Sequence, residues 1–513
     1  MTTTLYRGGP VYAPDAGVAD ALLVEDDSVA WVGRTGDAPA ADDVVELDGA
    51  LLTPAFVDAH VHSTSTGLSL HGLNLADAPS LAAALDQLER FARARSGGIV
   101  LGTGWDETRW PERRPPTAAE LDRASYGGVV YLARADVHSA VASSALLAAV
   151  PEVRGLTGLG DDGFVTLEAH HALRRAANES IPAGQRREAQ RADRRRAAEL
   201  GIGCFHELAG PDISGERDLT ALLELTRTEP GPDVLGYWAS LNDVDVPRRL
   251  GLRGGAGDLF VDGAIGSRTA ALREPYADAD GDGDGALRYD AEAIAGHVVT
   301  CIEAGLQAGF HVIGDRAVDA VLAGFGLAAG RVGLDRVVAG RHRVEHVEML
   351  DDVSALARFG LTASVQPAFD EAWGGPAGMY AARLGADRAR PMNPFATMAA
   401  AGVPLAFGSD SPVTPLDPWG GVRAAVQHRT EASRLSVRAA FAAHTRGGWY
   451  AAGMDDAGEL RPGAPATLAI WAAGECRGTT GADLLPYLTG PVPDCLRTVV
   501  RGTTVFSRSG ALE

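Results

Sequence analysis

The side chains with the most chemistry to offer are imidazoles. In FVDAHVHSTSTG (56–67), His60 and His62 stand two apart where an apolar run gives way to small polar residues. If the run is a strand, side chains at i and i+2 share a face, so both rings project together from its end. Imidazoles presented this way chelate a divalent ion, and zinc is the usual choice for a nitrogen-rich site. Alone the pair is a weak signal, since two histidines can equally serve a core. Three later stretches strengthen it. GFHVIGDRAVD brings His311 to the end of an apolar run with Asp315 four residues on, HRVEHVEML ends such a run in His346, and LAFGSDSPVTPLDP ends one in Asp410. A buried carboxylate without partners is costly or takes up a proton, so Asp410 calls for a cation or a cluster of donors. A His or an Asp at the ends of four separate runs points to a metal site.

Positioning these residues requires a scaffold whose strands all end at one rim. The middle of the chain alternates short apolar strands with Ala/Leu/Arg-rich helical stretches such as 184–200, the pattern of β/α units. Eight strands are expected, at 55–59, 202–206, 233–238, 258–262, 308–312, 342–346, 361–365 and 404–408. Eight such units close into a (β/α)8 TIM barrel, with its site at the C-terminal ends of the strands. Residues 63–180 are too many for one connection and carry their own strand and helix signals. They read as an α/β subdomain inserted after strand 1 and covering the mouth. Both ends of the chain, 1–54 and 451–513, read as short strands broken by Gly and Asp, and are expected to form one small β-sandwich around a barrel at 55–450.

Composition narrows the function classes. The chain has 513 residues, of which 46 are basic and 67 acidic, a net charge of −21. That balance argues against a nucleic-acid groove or an anionic membrane surface. All 46 basic residues are Arg, and there is no Lys. Cys204, Cys301, Cys476 and Cys495 are scattered without a C-x-x-C pair, which suits a reducing compartment. No apolar run reaches membrane-spanning length, and MTTTLYRGGP is not a signal pattern, so a cytoplasmic protein is expected. Its partner is a small-molecule substrate, with no nucleic acid or membrane; a homodimer is compatible with this reading.

The combination of motifs resembles the amidohydrolase superfamily, whose metal-dependent hydrolases carry H-x-H, two further His and an Asp on such strands. More narrowly it is similar to the YtcJ-like branch, which includes N-substituted formamide deformylases. GWDETRWP (104–111), VHSAVASSALL (137–147), VDGAIGSRTAAL (261–272) and GELRPGAPATL match that branch as well. The resemblance implies His60, His62, His311 and His346 as metal ligands or near neighbours. It makes Asp410 a ligand and the general base and acid, and has His346 either bind a second metal or stabilise the oxyanion. The implied reaction is hydrolysis of a C–N bond in an amide, formamide or N-acyl compound. Binuclear relatives often bridge two ions with a carboxylated Lys, where this chain has Asp258. With no Lys, and Asp258 too short to replace so long a group in the same place, a single Zn2+ held by His60, His62, His311 and Asp410 is preferred over two ions. Glu168, Glu207 or Asp262 are the other carboxylates that could stand in. A deaminase on the same fold, which would want a Glu after the fifth strand where this chain has Asp315, is a first alternative and ranks lower; a non-catalytic metal-binding regulatory or scaffold protein is a second.

Trp105, Asp106, His138 and Arg268 are candidate substrate-binding residues. Each also has a structural reading: Trp105 as a plug in the insertion's own core, His138 as a satisfied histidine, Arg268 as a donor to its own loop. DADGDGDGALRY (278–289) has the spacing of a calcium loop, but Tyr289 stands where a Glu is required, so an acidic loop is expected.

Overall fold

A computed structural model describes residues 2–94, 98–278, 283–472 and 484–512. Eight parallel strands form one sheet: β1 (Phe56–Val61), β2 (Ile202–Ala209), β3 (Asp233–Trp238), β4 (Gly254–Gly255), β5 (Gln307–Val312), β6 (Arg343–His346), β7 (Thr362–Val365) and β8 (Leu405–Phe407). Their lateral order follows the chain. A parallel bridge between Val61 and Ser411 returns the chain after β8 to β1 and closes the barrel. Every residue of β1 and β2 is buried, because a barrel strand has the interior on one face and helices on the other; hence their near-continuous apolar runs. The helix Asp315–Val332 shows the complementary pattern, burying Ala317, Val318, Val321, Phe325 and Ala328 at helical spacing. Asp290 caps the helix Ala291–Ala304 by accepting from Ala293 N, and Gly305 ends it at φ 71°.

The fourth strand differs from the sequence reading. Only Gly254 and Gly255 join the ladder, and Phe260 makes a lone bridge to His311. Gly257, at φ 93°, turns the chain out of the ladder at a geometry an L-residue resists. The segment expected as strand 258–262 is therefore a bend, and it delivers Asp258 inward.

The segment after β1 builds a five-stranded sheet from Leu73–Asn74, Val100–Trp105, Val130–Arg134, Ser139–Ala142 and Phe164–Thr166. It has its own core around Trp105, Trp110, Leu88, Leu121 and Leu132. The helix Leu81–Arg93 faces that core with Leu81, Ala84 and Leu88. Two four-stranded sheets complete the molecule. One is wholly N-terminal; in the other, Leu51–Pro54 pairs antiparallel with Leu468–Ala472. Tyr6, Leu22, Leu52, Leu468, Ile470 and Val499 share one core, so both ends of the chain make a single sandwich. Thr467 accepts from Arg501 N at 3.2 Å at the margin of this sheet. Among the described residues no helix is long and apolar enough to cross a membrane.

Candidate metal centre

Six side chains converge at one end of the barrel. His60 and His62 leave the end of β1, His311 stands in β5, and His346 ends β6. Asp258 follows the bend after β4, and Asp410 lies just beyond β8. All six are buried. His60 Nε2 lies 3.4 Å from Asp258 Oδ1 and 3.2 Å from Asp410 Oδ1. His62 Nε2 lies 3.1 Å from Asp258 Oδ2 and 3.2 Å from Asp410 Oδ1. His346 Nε2 is 3.5 Å from Asp258 Oδ1. Two donor sets result, His60–His62–Asp258–Asp410 and Asp258–His311–His346, and within each the ligand atoms lie within 4.8 Å of one another. Asp258 belongs to both.

This departs from the single-ion quartet expected from the sequence. His311 stands with His346 and Asp258, not with the H-x-H pair. The reach denied to Asp258 comes from the main chain: Gly257 turns the backbone inward, so a short carboxylate arrives where a strand residue would need a longer one. The other carboxylates considered as substitutes are engaged elsewhere. Glu207 accepts from Ser63 N at the start of the helix Ser63–His71. Asp262 accepts from the backbone of Ala271, Ile313 and Gly314. Glu168 lies on the helix Leu167–Glu179, outside both donor sets. Asp315 accepts from Arg273 N and from Arg316 N at a helix start.

The outer nitrogens explain why Nε2 of three rings faces inward. His60 Nδ1 is 3.1 Å from Glu345 Oε2, His62 Nδ1 is 3.0 Å from Leu208 O, and His346 Nδ1 is 2.8 Å from Gln366 Oε1. With Nδ1 donating, each Nε2 lone pair is free for a ligand. Glu345 is itself gripped by Arg343 at 2.5 and 3.0 Å, and Arg343 also donates to Ala59 O and Ser364 Oγ. Gly408 admits β1 closely, since a Cβ there would sit 2.6 Å from His60 N. His346 and Asp410 hold φ of 67° and 54°, left-handed conformations that cost about 1–3 kcal/mol each when not glycine.

The electrostatics suit a cation. Burial disfavours a charged His60, yet Asp258 and Asp410 outweigh it and hold the pKa well above the ordinary value. The same balance takes His62 up to about 9. Burial raises Asp410 and Asp258, but the facing imidazoles pull both below the usual carboxylate range. His311 goes the other way, down to about 3, through burial and the adjacent His346, which keeps it neutral as a ligand must be. His60 Nε2, Asp258 Oδ1 and Asp410 Oδ1 are buried without a hydrogen-bond partner, the atoms that a divalent ion would satisfy.

The remaining candidates divide. His138 reaches the mouth, its Nε2 3.1 Å from His311 Nε2. Trp105 does not: it is fully buried in the insertion's core, donating to Leu132 O at 2.9 Å. Asp106 pairs with Arg134 at 2.8 Å and caps the turn at Glu107–Arg109. Arg268 forms a two-pronged pair with Asp278, at 3.0 and 2.8 Å, and is exposed. In the calcium-like run, residues 279–282 lie outside the described residues, as does Cys476; Cys204, Cys301 and Cys495 are free and buried. Two residues that the sequence reading passed over line the cavity beside His311 and His346: Glu348, whose carboxyl burial pushes up to about 7, and Phe369, stacked on His346 at 5.9 Å. A charged pair inside the short strand RVEH was the one available signal for Arg343 and Glu345.

Known proteins resemble this chain in sequence and fold. The amidohydrolase family model matches residues 43–506. The chain is 26% identical to the putative amidohydrolase YtcJ of Bacillus subtilis, over 83% of this chain and 84% of that protein. It is 25% identical to the N-substituted formamide deformylase of Arthrobacter pascens, covering 96% of each. The crystal structure of an uncharacterized metal-dependent hydrolase from Pyrococcus furiosus superposes with a TM-score of 0.71 at 26% identity, over 91% of this chain and 98% of that one.

Proposed function

Because this chain belongs to the amidohydrolase family, in its YtcJ-like branch, we propose that it hydrolyses the C–N bond of a small amide, formamide or N-acyl compound at the barrel mouth. The observation that carries this reading is the shared carboxylate: Asp258 faces both donor sets. His60, His62 and Asp410 with Asp258 would hold one divalent ion, and His311 and His346 with Asp258 a second. Imidazole-rich sets with carboxylate suit Zn2+. When bound, such ions would polarise a carbonyl oxygen and lower the pKa of bound water to about 7.

The protein's own residues do the rest. Asp410 takes the proton of the attacking water as the C–O bond forms, and returns it to the departing nitrogen as the C–N bond breaks. Its backbone N donates to His60 O at 2.8 Å, which fixes the carboxylate against β1. His138, held neutral because burial and His311 push its pKa well down, offers an N–H toward charge developing on the carbonyl oxygen. His346 borders the same space and supports the same oxygen. The test combines metal analysis of the purified chain with an amine-release assay across formamides and N-acyl amines. Two ions per chain and release of amine are expected. One ion would remove the bridging role of Asp258, and a metal-loaded protein that releases no amine would mark a scaffold.

A further inference from the structure

Five arginines are at least nine-tenths buried among the described residues: Arg134, Arg174, Arg194, Arg343 and Arg383. Four donate to a carboxylate or a carbonyl: Arg134 to Asp106 and Asp136, Arg194 to Glu229 O, Arg343 to Glu345, and Arg383 to Gly266 O. Arg174, 9% exposed on the helix Leu167–Glu179, has no ion pair and no hydrogen bond among the described residues. The adjacent Arg175 takes the nearby Asp212 at 3.0 Å. A guanidinium carries five donors that cannot be silenced by deprotonation, so one that lines a cavity without a protein acceptor is open to a ligand.

Its surroundings say which ligand. Arg174 lines one cavity with His62, a member of the metal centre, and with Pro412, two residues beyond Asp410. Leu68, Leu73, Leu101 and Val137 line the same cavity, beside polar Ser65, Thr103 and Asn178. A molecule with its amide at His62 and an anion at Arg174 would lie along those apolar side chains. We propose that Arg174 anchors a carboxylate on the substrate, so that the amide cleaved is an N-acyl amino acid, or an acidic amide of that shape, with an apolar side chain. The fork geometry of Arg matches a carboxylate through two parallel hydrogen bonds. This rests on the hydrolase reading above and names its substrate class.

The test compares N-formyl-L-leucine with N-(3-methylbutyl)formamide, which is the same molecule without its carboxylate, on the zinc-loaded full-length protein. Preference for the acid by at least about 30-fold in kcat/KM is expected, because a polar group built to meet a partner rejects the analogue lacking it. Arg174→Gln should shrink that ratio to about 3-fold or less through KM, with Arg174→Lys between. Equal use of both probes by the wild type, or a preference kept by well-folded Arg174→Gln, would overturn the assignment. Should Arg174→Gln not fold, inhibition of the wild type by 4-methylpentanoate but not by 4-methylpentanamide supports the anchor, and equal inhibition overturns it. If neither formamide is hydrolysed, calorimetry with 4-methylpentanoate decides: binding weakened in Arg174→Lys keeps the anion site while the hydrolase reading fails, and no binding removes the site.

Discussion

Two buried clusters of charge in this molecule look alike on paper and differ in one respect. In the insertion, Arg134 is 1% exposed and meets Asp106, Glu107 and Asp136, each at 2.8 Å. Arg383 adds a second cation, reaching Glu107 and Asp278. At the barrel mouth, Asp258 and Asp410 face three imidazoles at 3.1–3.5 Å, yet His60 Nε2 and one oxygen of each carboxylate lack a hydrogen bond. In the first cluster the charged side chains meet one another through hydrogen bonds; in the second, buried polar atoms are left without one. Closure marks a brace and incompleteness marks a site, because an unmet buried polar atom is tolerated only where function keeps it.

The largest effect should come from the incomplete cluster. Asp410→Asn removes the proton acceptor without changing the side chain's shape, and a loss of about 10^2–10^4 in kcat is expected with the thermal melt nearly retained. Steady-state kinetics and circular dichroism together check this; full turnover by the variant would take Asp410 out of the chemistry. Asp258→Ala should come next. It withdraws the carboxylate common to both donor sets, so metal content should fall from two ions per chain to one or none, read by elemental analysis, with activity lowered about 10–100-fold or more. Retention of two ions would mean that the sets do not depend on their shared member.

How much of this contrast was legible beforehand follows from which forces placed each residue. His60 and His62 were readable because strand periodicity alone puts them on one face, and His311, His346 and Asp410 because each ends an apolar run. Asp258 was visible as a departure, but its reach was not, since that depends on the turn at Gly257 and on a fourth strand reduced to two glycines with no side chains to signal it. Trp105 and Asp106 resembled a lid, a Trp beside acids. The partner that claims Asp106, Arg134, is brought by the pairing of Val100–Trp105 with Val130–Arg134, which no local pattern reveals. Arg174 had no signal at all. It sits in a run of helix-forming residues beside Arg175, and only the packed structure separates the paired guanidinium from the unpaired one.

The closed cluster yields the opposite kind of result. Arg134→Met strands Asp106, Glu107 and Asp136 without their central cation, and a destabilisation of about 3–5 kcal/mol is expected, seen as a lower melting temperature. Metal content should stay at two ions per chain, because none of these residues belongs to either donor set. If the variant lost its metal as well, the two clusters would be one coupled unit and the distinction between brace and site would fail.

The smallest effect lies at the surface of the insertion, where an ion pair is neither closed off from water nor short of partners. Glu120 accepts from both terminal nitrogens of Arg114, at 2.7 and 2.9 Å, and completes the capping box of the helix Ala118–Ala124 with Thr117. The bond from Arg114, opposed by slight burial and aided by Thr117, lowers its pKa from 4.5 to about 2. A carboxyl depressed on folding contributes stability above its unfolded value and loses it as the pH falls from about 4.5 toward 2, because below that range both states are protonated. With Arg114 half exposed, solvent screening limits the contribution to about 1 kcal/mol or less. Glu120→Gln keeps the capping hydrogen bonds and removes only the charge. The melting temperatures of the two proteins should therefore differ slightly at pH 7, draw together as the pH falls below about 4.5, and converge only near pH 2. A gap that did not narrow between pH 5 and pH 2 would assign the effect to cap geometry, and would show that even this exposed pair is held by shape more than by charge.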